Sequence, residues 1–137
     1  MNDADMMRDV DYRHVLQAFS LFNGSGFDAL EMVRRYASLP SRRRADQGSE
    51  YHIYRQPIST LNDVVRDTGT LPQGGALDEV VLRWIARLYL YALYERGIPM
   101  REAVAMVDPE WLMEHYDPLH EASLATAWDK AARLAQA

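Results

Sequence analysis

Residues 77–97 read Leu77-Asp78-Glu79-Val80-Val81-Leu82-Arg83-Trp84-Ile85-Ala86-Arg87-Leu88-Tyr89-Leu90-Tyr91-Ala92-Leu93-Tyr94-Glu95-Arg96-Gly97, and this stretch decides the fold class. Leu77, Val80, Val81, Trp84, Ile85, Leu88, Leu90, Tyr91, Ala92 and Leu93 place apolar side chains almost all round a 3.6-residue period. A helix of that kind is buried inside a bundle, because no single face is left for water. Only Arg83, Arg87 and Tyr94 mark a narrow wet stripe. Asp78 and Glu79 stand where the helix dipole is positive and Arg96 where it is negative. Gly97 sits where a left-handed residue closes a helix. The spacing predicts one long helix over 77–96 at the centre of an all-α bundle.

On its N-terminal side, Val15, Phe19 and Phe22 predict a helix over about residues 10–22, preceded by an acidic, frayed tail containing Asp3, Asp5, Asp9 and Asp11. Asn23-Gly24-Ser25-Gly26 breaks that helix. Ser25 reads as an N-cap with Asp28 as its capping-box acid, opening a helix through Ala29, Leu30, Met32, Val33, Tyr36 and Ala37 that Pro40 stops. Residues 38–57 read as an irregular basic loop, within which Tyr51-His52-Ile53-Tyr54-Arg55 leans towards an extended segment. Thr60-Leu61-Asn62-Asp63 reads as the capped start of a short helix ending near Asp67. Beyond Gly97, Pro99, Asp108-Pro109 and Asp117-Pro118 each read as a helix start. They predict helices over about 99–106, 109–115 and 118–135. The sum is six or seven helices in one domain spanning residues 1–137.

Composition narrows the function classes. The chain has 137 residues, 15 Lys+Arg against 20 Asp+Glu, a net charge of −5 and no cysteine. Without cysteine there is no disulfide framework, thiolate metal site or thiol nucleophile. Apolar residues make up 48% and charged residues 26%, the balance of an ordinary globular domain. The acidic start Met1-Asn2-Asp3-Ala4-Asp5 lacks the basic region of a secretory signal. The longest apolar run, Leu88–Tyr94, falls far short of the roughly 18–20 residues that span a bilayer. The expectation is a cytoplasmic protein with no membrane segment.

Candidate chemistry is sparse. His115 and His120 are five residues apart and share no helix face, so neither a metal nor any other cofactor is expected. Asp117 and His120 have the spacing of a cap and its N3 residue, which suits a structural capping histidine or, alternatively, a small enzyme using the pair as a general base. Nothing near Ser25, Ser59 or Ser123 resembles a nucleophile elbow. Gly24-Ser25-Gly26 and Gly74-Gly75 lack a phosphate-binding context. Arg42, Arg43 and Arg44, with Arg55 nearby, form a basic patch interleaved with Tyr36, Tyr51 and Tyr54, a pattern able to track phosphates. The acidic total argues against nucleic acid as the main partner. Residues 108–121 hold Asp108, Glu110, Glu114, Asp117 and Glu121 and no Arg or Lys, an acidic segment expected to face Arg42–Arg44 within the chain or across a homodimer. Trp84, Tyr89, Tyr91, Tyr94 and Trp111 are most simply core, yet tyrosines are also enriched in binding hot spots.

Three segments carry a resemblance: Arg83-Trp84-Ile85-Ala86-Arg87-Leu88-Tyr89-Leu90-Tyr91, Ile98-Pro99-Met100-Arg101-Glu102-Ala103-Val104, and His115-Tyr116-Asp117-Pro118-Leu119-His120. Together they resemble small bacterial helical proteins with a W-I-x-x-x-Y helix and a Y-x-x-L-H element, which are similar to short domains found beside toxin–antitoxin genes on mobile elements. The resemblance covers roughly residues 51–132, and Tyr116…Leu119-His120 is its specific part. Glu121 stands where that group has Thr, and Met100 where it has Ser. The resemblance implies a toxin-associated accessory or antitoxin-like protein with Tyr116, Asp117 and His120 as its signature surface. The reading is therefore a non-enzymatic protein-interaction module, its partner a protein such as a toxin, its contact residues Tyr89, Tyr91, Tyr94, Tyr116, Asp117 and His120. The alternative is a nucleic-acid-contacting regulator using Arg42–Arg44.

Overall fold

A computed structural model describes residues 3–48 and 55–136. Among them are nine helices: α1 (Asp3–Asn23), α2 (Ala29–Ala37), α3 (Pro40–Asp46), α4 (Pro57–Asp67), α5 (Glu79–Arg96), α6 (Met100–Met106), α7 (Pro109–Glu114), α8 (Tyr116–Leu119) and α9 (Leu124–Leu134). The all-α bundle follows the sequence reading, and α5 is its axis, packed against α1, α6, α7 and α9. Asp78 caps α5 by accepting from the backbone N–H of Val80 and Val81, and Gly97 closes it at φ 67°. Leu82, Ile85, Leu88 and Leu90 are fully buried, each stabilising the fold by about 1.5–3 kcal/mol relative to exposure. Phe19 and Phe22 of α1 stack on each other and meet Tyr36 of α2 edge-on, joining these helices in the same core.

Several boundaries differ from expectation. Helix α1 already starts at Asp3, within the segment expected as an acidic tail. Asp28, not Ser25, caps α2, accepting from the N–H of Glu31, while the Ser25 hydroxyl donates to the Phe22 carbonyl. α2 ends at Ala37, before Pro40, but Pro40 and Pro57 are themselves helix starts. Each stands in the first turn of a new helix, where its missing N–H costs nothing. The basic loop thus contains α3, and α4 begins before Thr60, leaving Thr60 and Asp63 buried inside it. The extended run expected over 51–55 lies outside the described residues except for Arg55. The final helix does not run from Pro118. Asp117 has an extended backbone (φ −94°, ψ 126°) that interrupts α8, and α9 starts afresh at Leu124 with Ser123 as its cap.

The loop between α4 and α5 returns to the start of α2. Asp28 N–H donates to Pro72 O at 2.8 Å and Gly74 N–H to Gly26 O at 3.1 Å. A Cβ at Gly74 would lie 2.8 Å from the Asp28 Cα, so this close backbone approach requires glycine.

The expected basic patch is broken up by burial of its first member. Arg42 is 0% exposed. Its two terminal nitrogens donate to the Asp11 carboxylate at 2.8 Å each, and its Nε donates to Asp46 at 2.8 Å. The Tyr94 hydroxyl donates to Asp11 at 2.5 Å, and the Met100 N–H donates to Asp46 at 2.9 Å. One network therefore ties α1, α3, α5 and α6 together. Burial raises the Tyr36 hydroxyl, 3.1 Å from Arg42, to a pKa of about 12. Burial also pushes the Asp46 carboxyl up, against the pull of Arg42. Burial opposes the Arg42 charge, but Tyr36, Asp11 and Asp46 hold it well above its ordinary pKa.

Candidate functional site

The signature element found in the sequence lies on α7 and α8, and it is organised by two copies of one local device. Trp111 and His115 stack with ring centroids 3.9 Å apart and 14° between planes; Tyr116 and His120 stack at 4.1 Å and 6°. In each pair the aromatic residue precedes the histidine by four, the spacing that brings side chains together on a helix. In each, the histidine Nδ1 meets the carbonyl of its own aromatic partner, at 2.8 Å for His115 and 2.9 Å for His120. A carbonyl only accepts, so Nδ1 carries the proton in both rings and Nε2 is the acceptor when the ring is neutral. The device fixes two flat rings at the edge of the bundle. Trp84, buried in α5, meets Tyr116 at nearly right angles with centroids 5.3 Å apart and anchors the second pair to the core.

Carboxylates surround these rings. Glu110, Glu114, Asp117 and Glu121 are exposed, as is His115. Asp117 Oδ1 lies 3.0 Å from His120 Nδ1. This contact is solvent-screened, since the Asp117 side chain is 82% exposed. The nearest serine along the chain, Ser123, is committed to α9, accepting from the Thr126 N–H at 3.1 Å. Within the chain, no described ion pair joins the acidic segment to Arg42–Arg44. Its first residue, Asp108, is held by Arg34 of α2 through two hydrogen bonds of 2.7 and 2.9 Å. Those bonds hold the Asp108 carboxyl below its ordinary pKa. Glu110 lies 3.6 Å from the same guanidinium. The edge is thereby fixed to α2 at one end and to α5 at the other.

The remaining candidates scatter. Tyr89 is fully buried and donates to the Val107 carbonyl at 2.6 Å, so it belongs to the core and not to a surface. Tyr91 is half-buried beneath Arg96, which also pairs with Asp129 of α9 at 2.9 Å. Tyr94 is half-buried and bound to Asp11. The tyrosines of α5 are therefore engaged internally, and only Tyr116, Asp117 and His120 of the six contact candidates are brought together. Of the basic residues, Arg42 is buried and Arg55 pairs with Asp63 at 2.9 Å, which leaves Arg43 and Arg44 exposed. Sequence reasoning passed over Trp111 with His115 as a pair. The tandem pattern Trp111-x-x-x-His115-Tyr116-x-x-x-His120 was the available signal, hidden because the five-residue spacing of the histidines points to no shared face. Among the described residues, no group of His, Asp and Glu side chains is placed to hold a metal ion, and no helix is long and apolar enough to cross a membrane. Comparison with protein-family models, with curated proteins and with solved structures finds no match to this chain.

Proposed function

We propose that the chain is a non-enzymatic protein-interaction module, an antitoxin-like or toxin-associated accessory protein, that covers a basic partner with its α7–α8 edge. The observation that carries this reading is the pair of stacked aromatic–histidine units set among four exposed carboxylates. Flat rings already held by stacking and by their own backbone lose little freedom on binding, the property that makes aromatic side chains efficient contact residues. Clustered carboxylates steer a cationic partner and fix its orientation. The Asp117–His120 pair serves here as part of that surface.

Tagged full-length chain, captured from its native host and analysed by mass spectrometry beside variants, tests the proposal. A basic protein retained by the wild type is expected to be lost with Glu114→Lys plus Glu121→Lys and weakened by His115→Ala. It is expected to persist with Arg43→Ala plus Arg44→Ala. Equal retention by the edge variants would overturn the reading. So would retention of nucleic acid that depends on Arg43 and Arg44.

A further inference from the structure

A second surface has the opposite chemistry. A groove of about 590 Å³ runs between α1, the start of α4 and α5. Its apolar floor comes from Leu16, Leu21, Pro57 and Ile58, and Ile58 is 48% exposed, one of the few large apolar side chains left in water. Among the described residues, every charged side chain in its lining is an arginine: Arg13 from α1, Arg83 and Arg87 from α5. This is a local concentration of positive charge on a chain whose net charge is −5. Arg83 reaches Glu79 only at 3.8 Å, and Arg13 and Arg87 have no ion-pair partner among the described residues. None of these guanidinium groups is needed to neutralise a buried charge.

We propose that this groove docks an acidic amphipathic helix of a partner protein. The geometry suits that occupant. From Arg13 to Leu21 the α1 wall is roughly 12 Å long, and Arg83 and Arg87 are one turn, roughly 6 Å, apart along α5. A partner helix of about three turns would lay apolar anchors at i, i+3 and i+7 on the floor and bring carboxylates at i and i+4 to the arginines. Bidentate pairing with carboxylates is the chemistry the guanidinium fork favours. A nucleic-acid strand is bound best where rings stack its bases, and among the described residues no aromatic side chain lines the groove. The groove is formed by residues separate from those of the α7–α8 edge, so the two proposals stand or fall apart.

The test is anisotropy of a labelled helical peptide of about 16 residues, long enough to hold a helix, with leucines on one face flanked by glutamates. It is titrated with the full chain beside the same peptide carrying glutamines. The glutamate peptide is expected to bind at least about tenfold more tightly than the glutamine one, with affinity falling as salt rises. Arg13→Glu plus Arg87→Glu is expected to weaken it by at least the same factor, and Ile58→Glu to weaken both peptides. Circular dichroism confirms that the variants fold, and amide shifts of Gln17, Ser20, Ile58 and Arg87 locate the contact. Equal affinity for the two peptides, or indifference to the arginine reversals, overturns the proposal. Tighter binding of a single-stranded oligonucleotide at the groove does the same. Self-association abolished by Arg87→Glu and not competed by the peptide would make the occupant a second copy, which also overturns it.

Discussion

Replacing Arg42 with Met keeps a long apolar stem but removes the guanidinium from between two buried carboxylates. Asp11 and Asp46 have side chains only 0% and 2% exposed, and each loses its hydrogen bonds from the same group. Breaking a buried ion pair by deleting one partner costs about 3–5 kcal/mol, since the abandoned charge stays out of water. Domains are stable by about 5–15 kcal/mol, so the loss is a large share of the total. With a urea slope of about 2 kcal/mol/M, the midpoint should fall by about 1.5–2.5 M. Urea unfolding followed by circular dichroism at pH 7 reads this directly. Arg43→Ala and Arg44→Ala, on exposed neighbours in the same helix, should stay within about 0.5 kcal/mol of the wild type. The Arg42→Met deficit should shrink in acid, where the abandoned carboxyls can neutralise by protonation. A cost below about 1 kcal/mol, indistinguishable from Arg43→Ala, would refute the claim that α1, α3, α5 and α6 are joined through this side chain.

Other perturbations separate local causes. His14 of α1 is buried with Nε2 2.8 Å from the Thr60 hydroxyl, and burial lowers its pKa. The unfolded chain therefore binds the extra proton, and this contribution to stability is complete above the unfolded value near 6.5 and lost as pH falls through the lower folded one. Melting temperature measured across that window should fall more steeply for the wild type than for His14→Gln. Gly74→Ala forces a Cβ against the Asp28 backbone and should cost about 1–3 kcal/mol in thermal melts. Gly75→Ala meets nothing within 4 Å and should cost far less. Arg34→Ala removes the hydrogen bonds that depress the Asp108 pKa. It should flatten the wild type's loss of stability as pH falls from above the unfolded aspartate value of 3.8 through the lower folded one.

What the sequence revealed depended on whether a signal was local. The α5 pattern needs no partner to be read, since its apolar residues surround the helix and its caps, Asp78 and Gly97, flank it. Asp108-Pro109 likewise announced α7. Pro40 and Pro57 were ambiguous, because proline both ends the helix before it and starts the one after it. Arg42 reads as part of a surface basic patch because it stands in a run of three arginines. Nothing near it in sequence points to Asp11, thirty-one residues earlier, as its buried partner. The same pairing explains the missed start of α1: its inward face begins with the charged Asp11, so an apolar pattern alone picks it up only at Val15. At the candidate site, Tyr116, Asp117 and His120 were legible as a motif. Trp111 and His115 were not, since their pairing shows only when each histidine is read against the aromatic residue four positions before it.

The most direct test of the edge as the binding surface is hydrogen exchange of the full chain alone and with its captured partner. Slowed exchange is expected to concentrate over residues 108–121, with α2 and α9 unchanged. Protection confined to other segments, or none over α7 and α8, would contradict it.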